Sequence, residues 1–196
     1  MTAKLPTYDT VAIYMDTREK QGKKNHILLY MEDAGIPVIR HKLLVGDWTR
    51  TDDQSVCIDT KTCGMQEVYS NLISDHARFR RECVRAVENG IRLIVLVEEY
   101  GITSLEDVKK WQNPREGLYY MRKAGFVAGR GEMPKAPPVS SERLYNIMRV
   151  MAENYRVEWE FTTHDKAGER ICGILGLSPN SSSKASPPGP SGKTWD

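Results

Sequence analysis

The sequence predicts an α/β fold on three observations. Apolar, β-rich runs at residues 8–15 and 91–98 read as strands buried in a sheet. Around them, segments with apolar residues at helical spacing alternate with further strand-like runs. Four cysteines without a Cys-x-x-Cys pair, and four histidines without ligand spacing, leave reduced, partly buried thiols and an ordinary core rather than a disulfide or zinc framework. At 196 residues, 40% hydrophobic and 28% charged, the chain suits one domain with such a core.

Residues 8–15, the first strand, run into Asp16-Thr17-Arg18-Glu19, and charged groups at strand ends are where α/β sheets gather function. The basic stretch holding Lys20, Lys23 and Lys24 reads as a solvated loop. Residues 26–34 form a helix, with Ile27, Leu28, Tyr30 and Met31 at helical spacing and Gly35 as its stop. Residues 37–44 give a second strand. Residues 45–51 and 55–61 pair as a hairpin about Asp52-Asp53-Gln54. Asp59 and Lys61, at i and i+2, project from one face, and the hairpin returns Asp47 beside Asp59. Two carboxylates and a lysine together suit a hard divalent cation with a water or phosphate. Trp48 packs beside this hairpin.

A helix over 65–74 follows, then one capped by Asp75 and ended by Gly90, with Arg78, Arg81 and Arg85 along one side. Residues 91–98 form the central strand. Residues 105–111 read as a short helix, Asn113-Pro114 as a turn, and 125–138 as a Gly- and Pro-rich surface loop. Ser140 or Ser141 caps an amphipathic helix over 141–155, residues 157–161 alternate as a strand, and Thr163 caps a last helix over 164–175. Residues 178–196 are too polar to offset their ordering entropy and read as a disordered tail. No apolar run is long enough to span a membrane and the N-terminus lacks a signal-peptide run, so a soluble, intracellular protein is expected, cytoplasmic or associated with the nucleoid. A net charge of +2 is too mild to indicate nucleic acid by itself, so local patches must carry that case. His41 and His76 read as structural or surface groups.

In order, Asp16-Thr17-Arg18-Glu19, Val45-Gly46-Asp47-Trp48, Asp59-Thr60-Lys61 and Arg78-Phe79 resemble the nuclease domain of the XPF/Hef family of structure-specific endonucleases, within the PD-(D/E)xK superfamily. The family pattern is roughly D-S-R-E, V-G-D-Y, E-R-K, then a helix beginning near an arginine. The resemblance covers about residues 10–177, with 111–140 as an inserted loop and without the family's paired helix-hairpin-helix domain. It implies a restriction-endonuclease-like core, a central mixed sheet flanked by helices. It implies a Mg²⁺-dependent endodeoxyribonuclease, with Mn²⁺ as a substitute ion, acting on branched, flapped or nicked DNA in repair or recombination, and a homodimer through this domain. Asp47, Asp59 and Asp16 are then metal ligands. Lys61 orients the attacking water or neutralises the phosphate, Glu19 is a further catalytic acid, Arg18 positions a phosphate and Arg78 contacts DNA; Arg81, from its place on the same helix face, is expected as a further DNA contact. Two departures stand out: Asp59 replaces the family's glutamate, and Thr60 stands where it has an arginine. The alternatives are a catalytically silent relative that binds DNA or a partner, and a restriction- or resolvase-like nuclease on the same core.

Overall fold

The computed structural model describes residues 11–19, 22–128, 133–134 and 136–177. Six strands, β1 (Ile13–Asp16), β2 (Val38–His41), β3 (Trp48–Arg50), β4 (Val56–Lys61), β5 (Arg92–Glu98) and β6 (Glu158–Thr162), form one sheet in the order β2-β1-β3-β4-β5-β6. β3 is antiparallel to both β1 and β4, and the remaining pairs are parallel, so the sheet is mixed. The helices are α1 (Asn25–Asp33), α2 (Gly64–Tyr69), α3 (His76–Glu88), α4 (Pro114–Lys123), α5 (Ser141–Tyr155) and α6 (Ala167–Ile174). None of the described helices is long and apolar enough to cross a membrane.

Alternation along the central strands divides the core in two. Cys57, Leu93, Val95 and Val97 face one side and pack with Met65, Val68, Phe79, Cys83, Leu144 and Met148 of α2, α3 and α5. Ile58, Ile94 and Leu96 face the other and pack with Ile27 and Met31 of α1 and Ala167 and Ile171 of α6. Five consecutive residues of β5, Leu93 to Val97, are at most 1% exposed, which is why that run reads as continuously apolar. Burying each such side chain is worth about 1.5–3 kcal/mol.

Most element expectations hold, including the 45–61 hairpin, the two central strands and the Ser140 cap, whose hydroxyl accepts from the Arg143 amide at 3.3 Å. Four differ. The first strand begins at Ile13, and the part expected over residues 8–10 lies outside the described residues, as does the tail from Ser178. Asp75 makes no side-chain cap, because its backbone (φ −112°, ψ 25°) is not in the extended conformation that an N-cap adopts; α2 instead passes through a π-helical turn, Ser70–Ser74, up to α3. Thr163 likewise makes no side-chain cap, and one 3₁₀ turn, His164–Lys166, precedes α6. The expected loop insertion 111–140 contains α4: the Asn113 side chain accepts from the Arg115 amide and Pro114 takes the first helical position, so the pair read as a turn is a helix start.

Candidate active site

The direction of the strands gathers the chemistry. With β3 alone running against the others, the C-terminal ends of β1, β4 and β5 and the N-terminal end of β3 lie at one end of the sheet. Gly46 makes the approach of β3 to β4 possible. Its φ is +69°, and a Cβ there would stand 3.0 Å from the Ile58 carbonyl oxygen. The chain then turns so that the Asp47 amide donates to the Ile58 oxygen at 2.7 Å. Asp47 and Asp59 are thus carried together, each 6% exposed.

Both carboxylates line a cleft of about 290 Å³ with Lys61, Glu19, Asp16 and, from α3, Arg78, Glu82 and Arg85. Lys61 Nζ lies 2.6 Å from Asp59 Oδ2. Glu82 accepts from the Gly46 amide at 2.9 Å, tying α3 to the turn before β3. Asp47 Oδ2 accepts from the Thr60 amide at 2.6 Å and from its hydroxyl at 2.8 Å, and Lys24 Nζ is 2.6 Å away. Lys24 also pairs with Glu19 at 2.8 Å, and its side chain is 2% exposed.

Burial and charge divide the carboxyls. Burial alone would raise Asp47, yet the ammonium groups of Lys24 and Lys61 and the Thr60 amide hold it below its ordinary value. Burial drives Asp59 to about 7, with Asp47 and Glu82 adding to the rise and Lys61 opposing it. Glu19 is also raised, first by burial and then by Asp47. Burial would lower Lys61, but Asp59 and Asp47 more than offset that, so it stays a cation. One carboxyl held ionised beside another held near neutrality is a site short of positive charge. Asp59 Oδ2 is buried with no directed hydrogen bond beyond its ion pair. The donor set is hard carboxylate oxygen throughout. This is the donor class that a divalent cation of the Mg²⁺ type takes.

The expected site residues fall into three groups. Asp47, Asp59 and Lys61 meet as the hairpin predicted. Asp16 and Arg18 line the same cleft but engage each other: the Arg18 amide and guanidinium both donate to the Asp16 carboxylate, and the guanidinium also reaches the Leu43 carbonyl at 3.0 Å. On α3 the cleft-facing set is Arg78, Glu82 and Arg85, at i, i+4 and i+7, whereas Arg81 is exposed and does not line the cleft.

Three features escaped the sequence reading. Glu82 sits between the two cleft arginines at helical spacing and was legible on that ground. Lys24 reads as a solvated loop lysine, and no local signal marks it, because its burial comes from the fold of α1 against the hairpin. The histidines that lacked ligand spacing include His26 and His164. Both nitrogens approach Glu98, and among the described residues these three form the group of His, Cys, Asp and Glu ligand atoms lying within 4.8 Å of one another.

Thr60, the departure from the family arginine, is 3% exposed and on the opposite face of β4 from Asp59 and Lys61. Its hydroxyl orients Asp47 and lies 3.4 Å from the Trp48 indole nitrogen that donates to it. The position is a buried brace for the Asp47 carboxylate.

No family model matches the chain, and no curated protein matches it. Among solved structures the chain is similar to XPF from Aeropyrum pernix, with a TM-score of 0.53 and 18% identity over 86% of this chain. It is similar also to XPF from Aeropyrum pernix in complex with DNA, with a TM-score of 0.53 and 17% identity over 85% of this chain. The chain spans 66% and 64% of the length of those two structures. At that identity the likeness is one of fold: the mixed sheet and its helices have the XPF-type nuclease architecture.

Proposed function

We propose that, on this XPF-type nuclease fold, the chain is a metal-dependent DNA endonuclease that hydrolyses phosphodiester bonds in branched, flapped or nicked DNA, in repair or recombination. The observation that carries the reading is the meeting of Asp47, Asp59, Glu82 and Lys61 in one cleft whose α3 wall bears Arg78 and Arg85. Asp47, Asp59 and Glu82 would hold the ion. A bound Mg²⁺ supplies Lewis-acid stabilisation of the phosphate charge and a lowered water pKa. Lys61, kept cationic by its two aspartates, holds a water or a phosphate oxygen. Thr60 fixes the Asp47 carboxylate through two hydrogen bonds, so the ligand is oriented before the ion arrives. Asp16 orients Arg18, and Arg18, Arg78 and Arg85 contact backbone phosphates. The DNA bound in the Aeropyrum pernix complex supports the substrate class.

A catalytically silent DNA-binding domain is the second reading, and one observation favours it: Lys24 Nζ lies 2.6 Å from Asp47 Oδ2, where a metal ion would take its ligand. Purified protein with labelled duplex, flap, fork and four-way-junction DNA separates the two. Cleavage with Mg²⁺ or Mn²⁺ that stops with EDTA, and is lost in Asp59→Ala and Lys61→Ala while DNA binding remains, supports the enzyme. Binding without cleavage on every substrate supports the silent domain, and full activity in Asp59→Ala sinks the site assignment. Sedimentation with and without DNA tests the homodimer that the family resemblance implies.

A further inference from the structure

We propose that His26, Glu98 and His164 form a second cation site, on the opposite face of the sheet from the carboxylate cleft, for a borderline transition-metal ion of the zinc class. Glu98 ends β5 and follows Ile94 and Leu96 on the α1 and α6 side of the sheet. Its side chain is 1% exposed. His26, in the first turn of α1, places Nε2 at 3.0 Å from Glu98 Oε1. His164, in the 3₁₀ turn before α6, places Nδ1 at 2.8 Å from Glu98 Oε2. The two imidazoles stack, with centroids 3.6 Å apart and planes at 26°, so their nitrogens converge on one carboxylate.

The spacing is close to that of a tetrahedral ion. Bonds of about 2.0–2.2 Å put neighbouring zinc ligands roughly 3.3–3.5 Å apart, so each His–Glu98 pair opens by about half an ångström, and the two stacked rings turn apart so that both nitrogens face one ion. A buried carboxylate flanked by two imidazole nitrogens, all three ligand atoms within 4.8 Å of one another, is a donor set for a divalent ion. Two nitrogens and one carboxylate select Zn²⁺ or Co²⁺ over the Mg²⁺ that the all-oxygen cleft suits. His164 is 57% exposed, which leaves a coordination position open to water. The ion joins the first turn of α1 to β5 and to the start of α6. Lys24, two residues before His26, holds Asp47, so the clamp and the cleft share one short piece of chain.

The test uses the full chain, stripped with EDTA and titrated with Zn²⁺ by calorimetry and with Co²⁺ by its visible absorption. One Zn²⁺ per chain is expected, with binding at least about tenfold weaker in His164→Ala and His26→Gln. It should be retained in the Asp47→Asn/Asp59→Asn double variant. His164 is largely exposed, so its alanine variant leaves the core intact. The proposal is overturned if Zn²⁺ does not bind, if His164→Ala binds as the parent does, or if binding is lost only with the two aspartates. In the first case Glu98 is simply a carboxylate shared by two imidazole hydrogen bonds.

Discussion

Replacing Asp59 with asparagine removes a buried carboxyl of the cleft whose hold on its proton is raised, without changing its shape. In the folded chain that carboxyl stands at about 7 against an ordinary 3.8, burial being the main cause. A folded value above the unfolded one means that the native state holds the proton more tightly. Asp59 then contributes stability that is complete below about 3.8 and lost as pH rises through about 7. Each pH unit in that window is worth about 1.36 kcal/mol. About 5 to 8 on the pH scale covers two of the roughly three units, an upper limit of about 3 kcal/mol, reduced by interior water and by the coupling to Asp47. Urea denaturation in EDTA should therefore show Asp59→Asn gaining about 2–3 kcal/mol on the parent between those pH values, with no further gain above. The Lys61 ion pair exists only while Asp59 is ionised, and its pull is already contained in the value of about 7, so the pH dependence and not any constant offset is the readout. A difference that stays flat, or shrinks as pH rises, would mean that Lys61 keeps Asp59 ionised throughout and would refute the reasoning. Mg²⁺ should restore the parent at the higher pH and leave Asp59→Asn unmoved.

Glu82→Gln removes one of the two like charges that raise Asp59, so the pH at which the parent loses stability should move down, and metal-supported cleavage should fall; an unmoved transition argues against Glu82 as part of the carboxylate set. Arg78→Ala should weaken DNA binding on all substrates and lower the salt slope of log K by about 1, whereas Arg81→Ala, which lies off the cleft, should change neither. Gly46→Ala meets both a positive φ and the Ile58 carbonyl at 3.0 Å, so a loss of more than about 1 kcal/mol in stability is expected, with activity falling further because Asp47 is displaced.

The legible part of this protein lies where chemistry is local. The hairpin's period of two placed Asp59 and Lys61 on one face, and its turn returned Asp47 to them, as the register Trp48↔Ile58 bears out. The apolar run of β5 announced a strand covered on both faces. What escaped depends on contacts that no local pattern records. Lys24 looks like any loop lysine until α1 packs and closes water away from it. His26 and His164 come from opposite ends of the chain, and only the parallel pairing of β5 with β6 sets the second beside Glu98. Asn113-Pro114 carries both a turn signal and a helix-start signal, and the bond from the Arg115 amide decides for the helix. Helical spacing from Arg78 points to Arg81 and Arg85 alike. The direction of the cleft selects the residue one position on, Glu82, and then Arg85.

The antiparallel β3–β4 pair also has a consequence for the order in which the site is made. Its strands are joined by residues 51–55, so Asp47 and Asp59 come together through a short loop, an event of about 1–10 µs for a hairpin. Lys24 and Glu82 arrive only when α1 and α3 dock on opposite faces, and β5 pairs with β4 only after a crossover through α2 and α3. Local pairing therefore brings the two aspartates together with Lys61, and Lys24 joins them only through the docking of α1. A cation present during refolding would engage that pair early and change the folding rate as well as the final stability, whereas one that waits for the finished cleft would slow unfolding alone.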